Sequence, residues 1–403
     1  MQYPGVRSVY TYARSFHGTI EAPHFRIPQP DLPGARHVHK NPSSHPLDPV
    51  SMSTAVPRVL KHAPKHLSRH TYSTMSLPTK QRIWVVANPN PTQVSASIFK
   101  LEERPLPQPD AESVLVSADY LSNDPVTRLS FNAKGSSPNV AAVGTVLADS
   151  GKWKKGDRVS TRLGWFDYAV VPASSLSPAE EVEGKPWAVL SDLGATSLTA
   201  YAGIETLDVK PADVVLVGGA SGAVGTAFVQ MAKHVRGAKR VVGVAGGKAK
   251  CDWVKKLGAD ECVDYKSASF AEDLKRALPD GASAFLDPVG GSVLNAALDN
   301  MQKDGRVAVC GNVAALNGGT QVIDKPLVIV QKHLTVKGFS VMSWMPRAPQ
   351  IRKEIAGWIR DGKIKADGTD EVVDTPVDRI PETYMKLYDG TKHPGKLITH
   401  VIH

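Results

Sequence analysis

The chain reads as an α/β protein: a doubly wound parallel sheet preceded by a strand-rich segment, with a disordered leader in front. Three observations predict this. From Val214 to about Val309 short apolar strands alternate with helical stretches, the pattern of a parallel sheet covered on both faces. A glycine-rich turn joins the first of those strands to the first helix. Residues 1–75, by contrast, have no sustained apolar periodicity.

The leader carries nine Lys/Arg against three acids (Glu21, Asp31 and Asp48), ten prolines and eight histidines. Such a segment cannot bury enough apolar surface to offset its chain entropy, so disorder is expected. Its runs "RHVHKNPSSH" and "RVLKHAPKHLSRH" offer groups for a metal or a polyanion, but a solvated tail is the favoured reading. From Met52 the leader is basic, bears Ser and Thr and lacks acids, like a mitochondrial transit peptide. Pro57 and Pro64 oppose a long amphipathic helix there, and Met52 or Met75 serves as well for a start, which would make the leader a gene-model extension. A cytoplasmic location is expected, with the mitochondrial matrix as the alternative if the leader is a transit peptide.

Of the formal net charge of +9, the leader supplies a surplus of six, leaving about +3 for the rest. That balance gives no reason to expect nucleic acid as a partner. The sequence shows neither a secretory apolar core nor an apolar run of membrane length, so no membrane association is expected. Three widely spaced cysteines, Cys251, Cys262 and Cys310, imply no disulfide framework and fit a reducing compartment.

After Met75 the runs "QRIWVVAN", "FKLEERPL" and "SVLVSADYLS" are short and β-prone, broken by Pro, Asn and Asp. "KWKKGDRVSTRLGWFDYAVV" follows, with Gly156-Asp157 as a turn between strands. A helical passage, "LSDLGATSLTAYAGIETL", leads to "VVLVGGASGAVGTAFVQMAKHV". In that stretch Val214–Val217 is a buried strand, and Val224, Ala227, Phe228 and Met231 mark one face of a helix. Between them Gly219, Gly222 and Gly225 make a GxxGxxG turn. It suits a phosphate cradle, because glycine lets the backbone approach a ligand and a helix start attracts anions; by itself it suits an unliganded turn equally. Strands at "RVVGVAG", "CVDY", "AFLDPVGG" and "RVAVCGN" then alternate with helices through Trp253 and Leu257, Phe270 and Leu274, and Leu294 and Leu298. The segment from Phe339 onward holds one helix, "IRKEIAGWIRDGKI", and a strand, "KLITHVI".

The stretches "GDRVSTRLGWFDYAVV", "LGATSLTAYAGIETL", "VVLVGGASGAVGTAFVQMAK", "LDPVGG", "MQKDGRVAVCGN" and "GKLITHVI", in this order, resemble the zinc-independent medium-chain dehydrogenase/reductases. Within them the NADPH-dependent alkenal double-bond reductases, which include prostaglandin reductases and leukotriene B4 dehydrogenases, are the most similar subgroup. The resemblance runs from about Met75 to the C-terminus. It implies a GroES-like catalytic domain over 76–195, a Rossmann NADP-binding domain over 196–338 and a return to the catalytic domain over 339–403, with the active site in the cleft. It implies too that the glycine turn is a phosphate cradle, held by Ser221, Gly222, Ala223, Val224, Gly225 and Thr226, and that a homodimer is possible through the edge strand of the Rossmann sheet.

The second strand ends in Gly246 and Gly247, where an NAD-preferring protein usually has an acid for the ribose 2′-hydroxyl. Lys248 and Lys250 follow and favour NADPH; the resemblance assigns the 2′-phosphate to Lys250 and Tyr265. For zinc the residues are wrong: "NVAAVGTVLA" stands where a GHE-type motif is expected, and all three cysteines lie in the Rossmann region. The resemblance sets Cys310, Gly311 and Asn312, with Phe339 and Val341, along the nicotinamide. Asn123, in "SNDPVTR" (122–128), would approach from the catalytic domain.

Three departures from the family bear on catalysis. Its active-site tyrosine falls on Leu316, one asparagine on Pro288 and another on His393. The proton donor is therefore left among Tyr120, Tyr168, His393 and solvent, and Met342 and Trp344 read either as pocket wall or as core. The expected activity is that of an NADPH-dependent oxidoreductase acting on CH=CH groups: an enone or enal accepts hydride at its β-carbon, without zinc. An enoyl thioester reductase, a quinone reductase and a non-catalytic nucleotide- or RNA-binding relative are the alternatives.

Overall fold

The structure, a computed structural model, describes residues 77–316, 318–319 and 322–403. Expectations about the leader lie outside the described residues. The N-terminal part is antiparallel. β1 (Lys80–Val86) pairs with β2 (Phe99–Pro105) in a two-stranded ribbon. β3 (Ser113–Asn123), β4 (Val140–Val146), β5 (Arg158–Leu163), β6 (Tyr168–Pro172) and β7 (Ser177–Pro178) build most of a larger sheet. The predicted turn at Gly156-Asp157 lies between β4 and β5, and Gly156 has a φ of 93°, a left-handed conformation that suits glycine. An aromatic cluster fills this core: Phe99 stands edge-on to Phe131 at 5.0 Å, and Trp165 lies 5.2 Å from Tyr384.

Helix α1 (Ala195–Leu207) leads into the alternating part. In chain order it comprises β8 (Val214–Val217), α2 (Ala223–Gln230), β9 (Arg240–Ala245), α3 (Lys248–Lys256), β10 (Glu261–Asp264), α4 (Phe270–Ala277), β11 (Ala282–Asp287), α5 (Gly291–Asp299), β12 (Met301–Val309), α6 (Val313–Leu316), α7 (Leu327–Gln331) and β13 (Thr335–Gly338). The six strands are all parallel in the order β10-β9-β8-β11-β12-β13. Strand order thus reverses between β8 and β11, and in such sheets the crevice beyond the strand ends at the reversal is where ligands bind. The strands are apolar on both faces because both are covered. Val215 and Val217 face a layer with Leu198, Ile204, Phe228 and Met231, while Leu216 faces one with Leu274 and Leu298.

The last segment divides differently from the expected return over 339–403. Helix α8 (Ala348–Arg360) puts Ile351, Ile355 and Ile359 into the same core as α1 and α2. Their spacing of four makes one apolar stripe, and the open helical layer of the parallel sheet receives it. Only then does the chain cross back, through β14 (Asp370–Pro376), α9 (Ile380–Met385) and β15 (Lys396–Ile402). β15 pairs antiparallel with β3 and parallel with β14. Among the described residues, no helix is long and apolar enough to cross a membrane.

Candidate cofactor and active site

The glycine turn sits at the reversal point. Gly218 donates to the Leu286 carbonyl at 3.0 Å and Ala220 to the Val244 carbonyl at 2.9 Å, so the loop is pinned to the strands on either side. Gly219 has a φ of 56°. A β-carbon on Gly225 would collide with the Gly219 carbonyl and the Ala220 backbone, so the start of α2 closes directly onto the loop. Thr226 Oγ1 donates to the Gly222 carbonyl at 2.7 Å. The first-turn N–H groups of Ala223 and Val224 have no acceptor within the helix. Ser221 joins the opening through its carbonyl, which accepts from Gly395 N at 2.8 Å. This arrangement fits a phosphate.

Beyond β9 the ribose end takes shape. Gly247 N donates to Asp264 Oδ1 at 2.7 Å, and Lys266 N donates to the same oxygen at 2.9 Å, so that carboxylate serves backbone. The Tyr265 ring lies over Gly246, with its phenol half exposed. Lys250, half-buried on α3, has no ion pair among the described residues. Burial and the neighbouring Lys266 hold its amine below the ordinary lysine range, against the pull of Glu371. Lys248 does not converge here: its side chain is 88% exposed and pairs with Asp252 one helical turn on, at 2.6 Å. At the helix start that i,i+4 carboxylate is the nearest partner.

His393 is not at the reacting end. Its ring stands edge-on to Trp253 of α3, centroids 6.4 Å apart, and its backbone N–H donates to Glu371 Oε2 at 2.6 Å. Trp253 and Lys250 are three residues apart on one helix face. The loop before β15 therefore lies against the ribose end of the crevice. From there to β12 is three strand spacings, about 14 Å. The sequence gives little warning of this contact, which also brings Lys392; only the basic, glycine-bearing "TKHPGK" before the last strand hints at it.

At the other end Cys310 N donates to the Asp287 carbonyl at 2.9 Å. A β-carbon on Gly311 would stand 2.9 Å from the Pro288 carbonyl oxygen, so the Cys310–Asn312 turn rests on Pro288. Burial, then Asp287, pushes the Cys310 thiol up to about 12, which keeps it neutral at physiological pH. The Asn312 side-chain oxygen is buried without a partner. Phe339 N donates to the Val309 carbonyl at 3.0 Å, setting Phe339 and Val341 beside that turn.

Opposite, the 3-10 turn Pro125–Ser130 that follows Asn123 touches α6. Asn123 is buried; its Nδ2 donates to Thr399 Oγ1 at 2.9 Å, and its Oδ1 has no partner. Val126 and Leu129 on this turn, Val313 on α6 and Met342 are exposed apolar groups. Trp344 is partly buried and packs against the core, edge-on to Tyr201 of α1 at 6.2 Å.

Tyr120 is also elsewhere. Its ring stacks on His400 at 4.7 Å and leans on Trp187 at 5.3 Å, with the Arg158 guanidinium over it. Its partners lie far along the chain, and ring packing on the strand face fixes its position. Tyr168 stacks on His403 at 5.0 Å.

Residues 82–179 match the family profile described as "N-terminal domain of oxidoreductase", and residues 223–357 match the one described as "Zinc-binding dehydrogenase". The chain is 32% identical over 313 residues to prostaglandin reductase 1 of Mus musculus, covering 74% of this chain and 93% of that one. It is 30% identical over 345 residues to the NADPH-dependent curcumin reductase of Escherichia coli (strain K12), covering 80% and 97%. The crystal structure of CurA in complex with NADPH from Vibrio vulnificus matches with a TM-score of 0.73 at 26% identity, over 80% of this chain and 99% of that one. Among the described residues, no three His, Cys, Asp or Glu groups converge on one point. The two profile matches, the coverage of the relatives and the parallel order β10-β9-β8-β11-β12-β13 agree, and the chain belongs to the medium-chain dehydrogenase/reductase family of oxidoreductases.

Proposed function

We propose that this oxidoreductase binds NADPH across the crevice and, without zinc, reduces a carbon–carbon double bond conjugated to a carbonyl. The observation that carries the reading is the end of β9: Gly246 and Gly247 stand where an acid would hold a free ribose 2′-hydroxyl, and Lys250 and Tyr265 border the gap. The names of the prostaglandin and curcumin reductases support the reaction class.

When bound, NADPH supplies a hydride from its nicotinamide C4. Ser221 to Thr226 would hold the pyrophosphate, Lys250 and Tyr265 the 2′-phosphate, and Cys310 to Asn312 with Phe339 and Val341 the nicotinamide. The unpartnered oxygens of Asn312 and Asn123 suit amide or hydroxyl donors. Exposed Val126, Leu129, Val313 and Met342 suit an apolar substrate. With the hydride added at the β-carbon, charge passes to the carbonyl oxygen, where N–H donors rather than a metal would stabilise it. Tyr120 and Tyr168 are held in ring stacks and His393 lies at the ribose end, which supports solvent as the source of the α-carbon proton. The β13 edge, exposed along its length, is the proposed seam of a homodimer.

NADPH oxidation should be followed with enals, enones, enoyl thioesters and quinones. Turnover of enals or enones is expected. Turnover confined to enoyl thioesters or to quinones would move the assignment to that class, and none on any would favour a nucleotide-binding module.

A further inference from the structure

We infer that Lys392 is a second reader of the ribose 2′-phosphate, supplied from across the cleft by the loop before β15. The inference rests on the NADPH reading above. Two contacts fix the loop. Gly395 N donates to the Ser221 carbonyl of the phosphate turn, and the His393 ring abuts Trp253 on the helix face that bears Lys250. Gly395 itself has a φ of 91°, and a β-carbon there would run into the Thr369 carbonyl.

Held this way, the Lys392 ammonium donates to the His393 carbonyl at 2.7 Å and to the Gly395 carbonyl. Both acceptors are neutral, and an ammonium has a third N–H. No carboxylate pairs with Lys392 among the described residues. The one acid that acts on both Lys250 and Lys392 is Glu371, already engaged by Lys386 and by His393 N. Burial first, then Lys250, brings the Lys392 amine down to about 8; Lys396 adds to the depression, while Glu371 and Asp370 oppose it. Lys250, with Lys266 beside it, and Lys392 thus have only the committed Glu371 in common, and Asp370, which also acts on Lys392, is already paired with Lys185. Like charges gathered with so little compensation are costly, and a dianion between them removes the cost.

The competing account is that Lys392 only staples its own loop by capping carbonyls. Calorimetric titration with 2′,5′-ADP and with 5′-ADP separates the two, using the full chain and its Lys250→Met, Lys392→Met and Lys392→Gln variants. Glutamine keeps a donor for the carbonyls and lacks the charge, so it also covers the case in which the Met variant fails to fold. Both Lys392 variants should weaken 2′,5′-ADP about tenfold or more and change 5′-ADP by less than about twofold. Equal weakening of both ligands, or no change in either, would overturn the inference. If Lys250→Met discriminates and the Lys392 variants do not, this inference alone falls. If no variant discriminates, the NADPH reading at β9 falls with it.

Discussion

The Tyr265 phenol covers Gly246 so closely that a β-carbon at 246 would stand 2.9 Å from Tyr265 Cε1 and 3.0 Å from its oxygen. The glycine at the end of β9 is therefore more than a missing acid, since it is the space that the ring occupies. Gly246→Ala should push Tyr265 aside. Overpacking of this kind costs about 1–3 kcal/mol where the neighbour cannot yield; a half-exposed ring can, so the loss should appear in binding more than in melting temperature. Weaker 2′,5′-ADP binding with unchanged 5′-ADP binding is expected. An unchanged affinity for 2′,5′-ADP would show that Tyr265 does not touch that phosphate.

Lys250→Glu should turn the site against a dianion. A charge-assisted contact is worth about 1.5–3 kcal/mol, so the Kd for NADPH should rise at least about tenfold, with that for NADH barely altered. Equal weakening of both would make Lys250 a support of the fold.

The pH dependence of binding follows from Lys392, whose amine is held near 8 by burial and Lys250, with Lys396 on the same side and Glu371 and Asp370 against. Below about 8 the amine is already charged and meets the phosphate without a proton being taken up. Above it, binding must first protonate the amine, so affinity for 2′,5′-ADP falls as pH rises from 7 to 9. Measured in two buffers at pH 8, the enthalpy should reveal proton uptake, and Lys392→Met should abolish it. A profile that is flat in the unaltered protein would contradict this.

A buried ion cluster supports the crossing back from the parallel sheet. Lys185 Nζ lies 3.1 Å from Asp192 and 3.0 Å from Asp370, and Trp187 Nε1 donates to Asp370 at 2.8 Å. Lys185→Met would strand two buried carboxylates, and breaking a buried pair in this way costs about 3–5 kcal/mol. Chemical denaturation should show a loss of that order; one below about 1 kcal/mol would mean the cluster is well solvated.

What the sequence made legible was local. Strands buried on both faces, such as Val214–Val217, read as apolar runs, and the Gly246-Gly247 end of β9 and Lys250 lie within one strand–helix unit. β13 escaped notice because Thr335–Gly338 is an exposed edge with no apolar pattern. The Ile351, Ile355 and Ile359 stripe announced a helix without saying which layer would take it. Tyr120 and His393 could not be placed because their partners, His400 and Trp253, are 280 and 140 residues away along the chain. Lys392 was invisible for the same reason.

The central claim is that hydride goes to carbon, in a family site whose side chains group no metal ligands among the described residues. Reducing an isolated carbonyl builds alkoxide charge that a metal or a strong proton donor normally stabilises. Leu316 stands where the family's tyrosine would be. The most direct measurement is to supply NADPH deuterated at the transferring position and locate the label after turnover of an enone or enal. A saturated ketone or aldehyde labelled at the β-carbon is expected; an allylic alcohol labelled at the former carbonyl carbon would contradict the account.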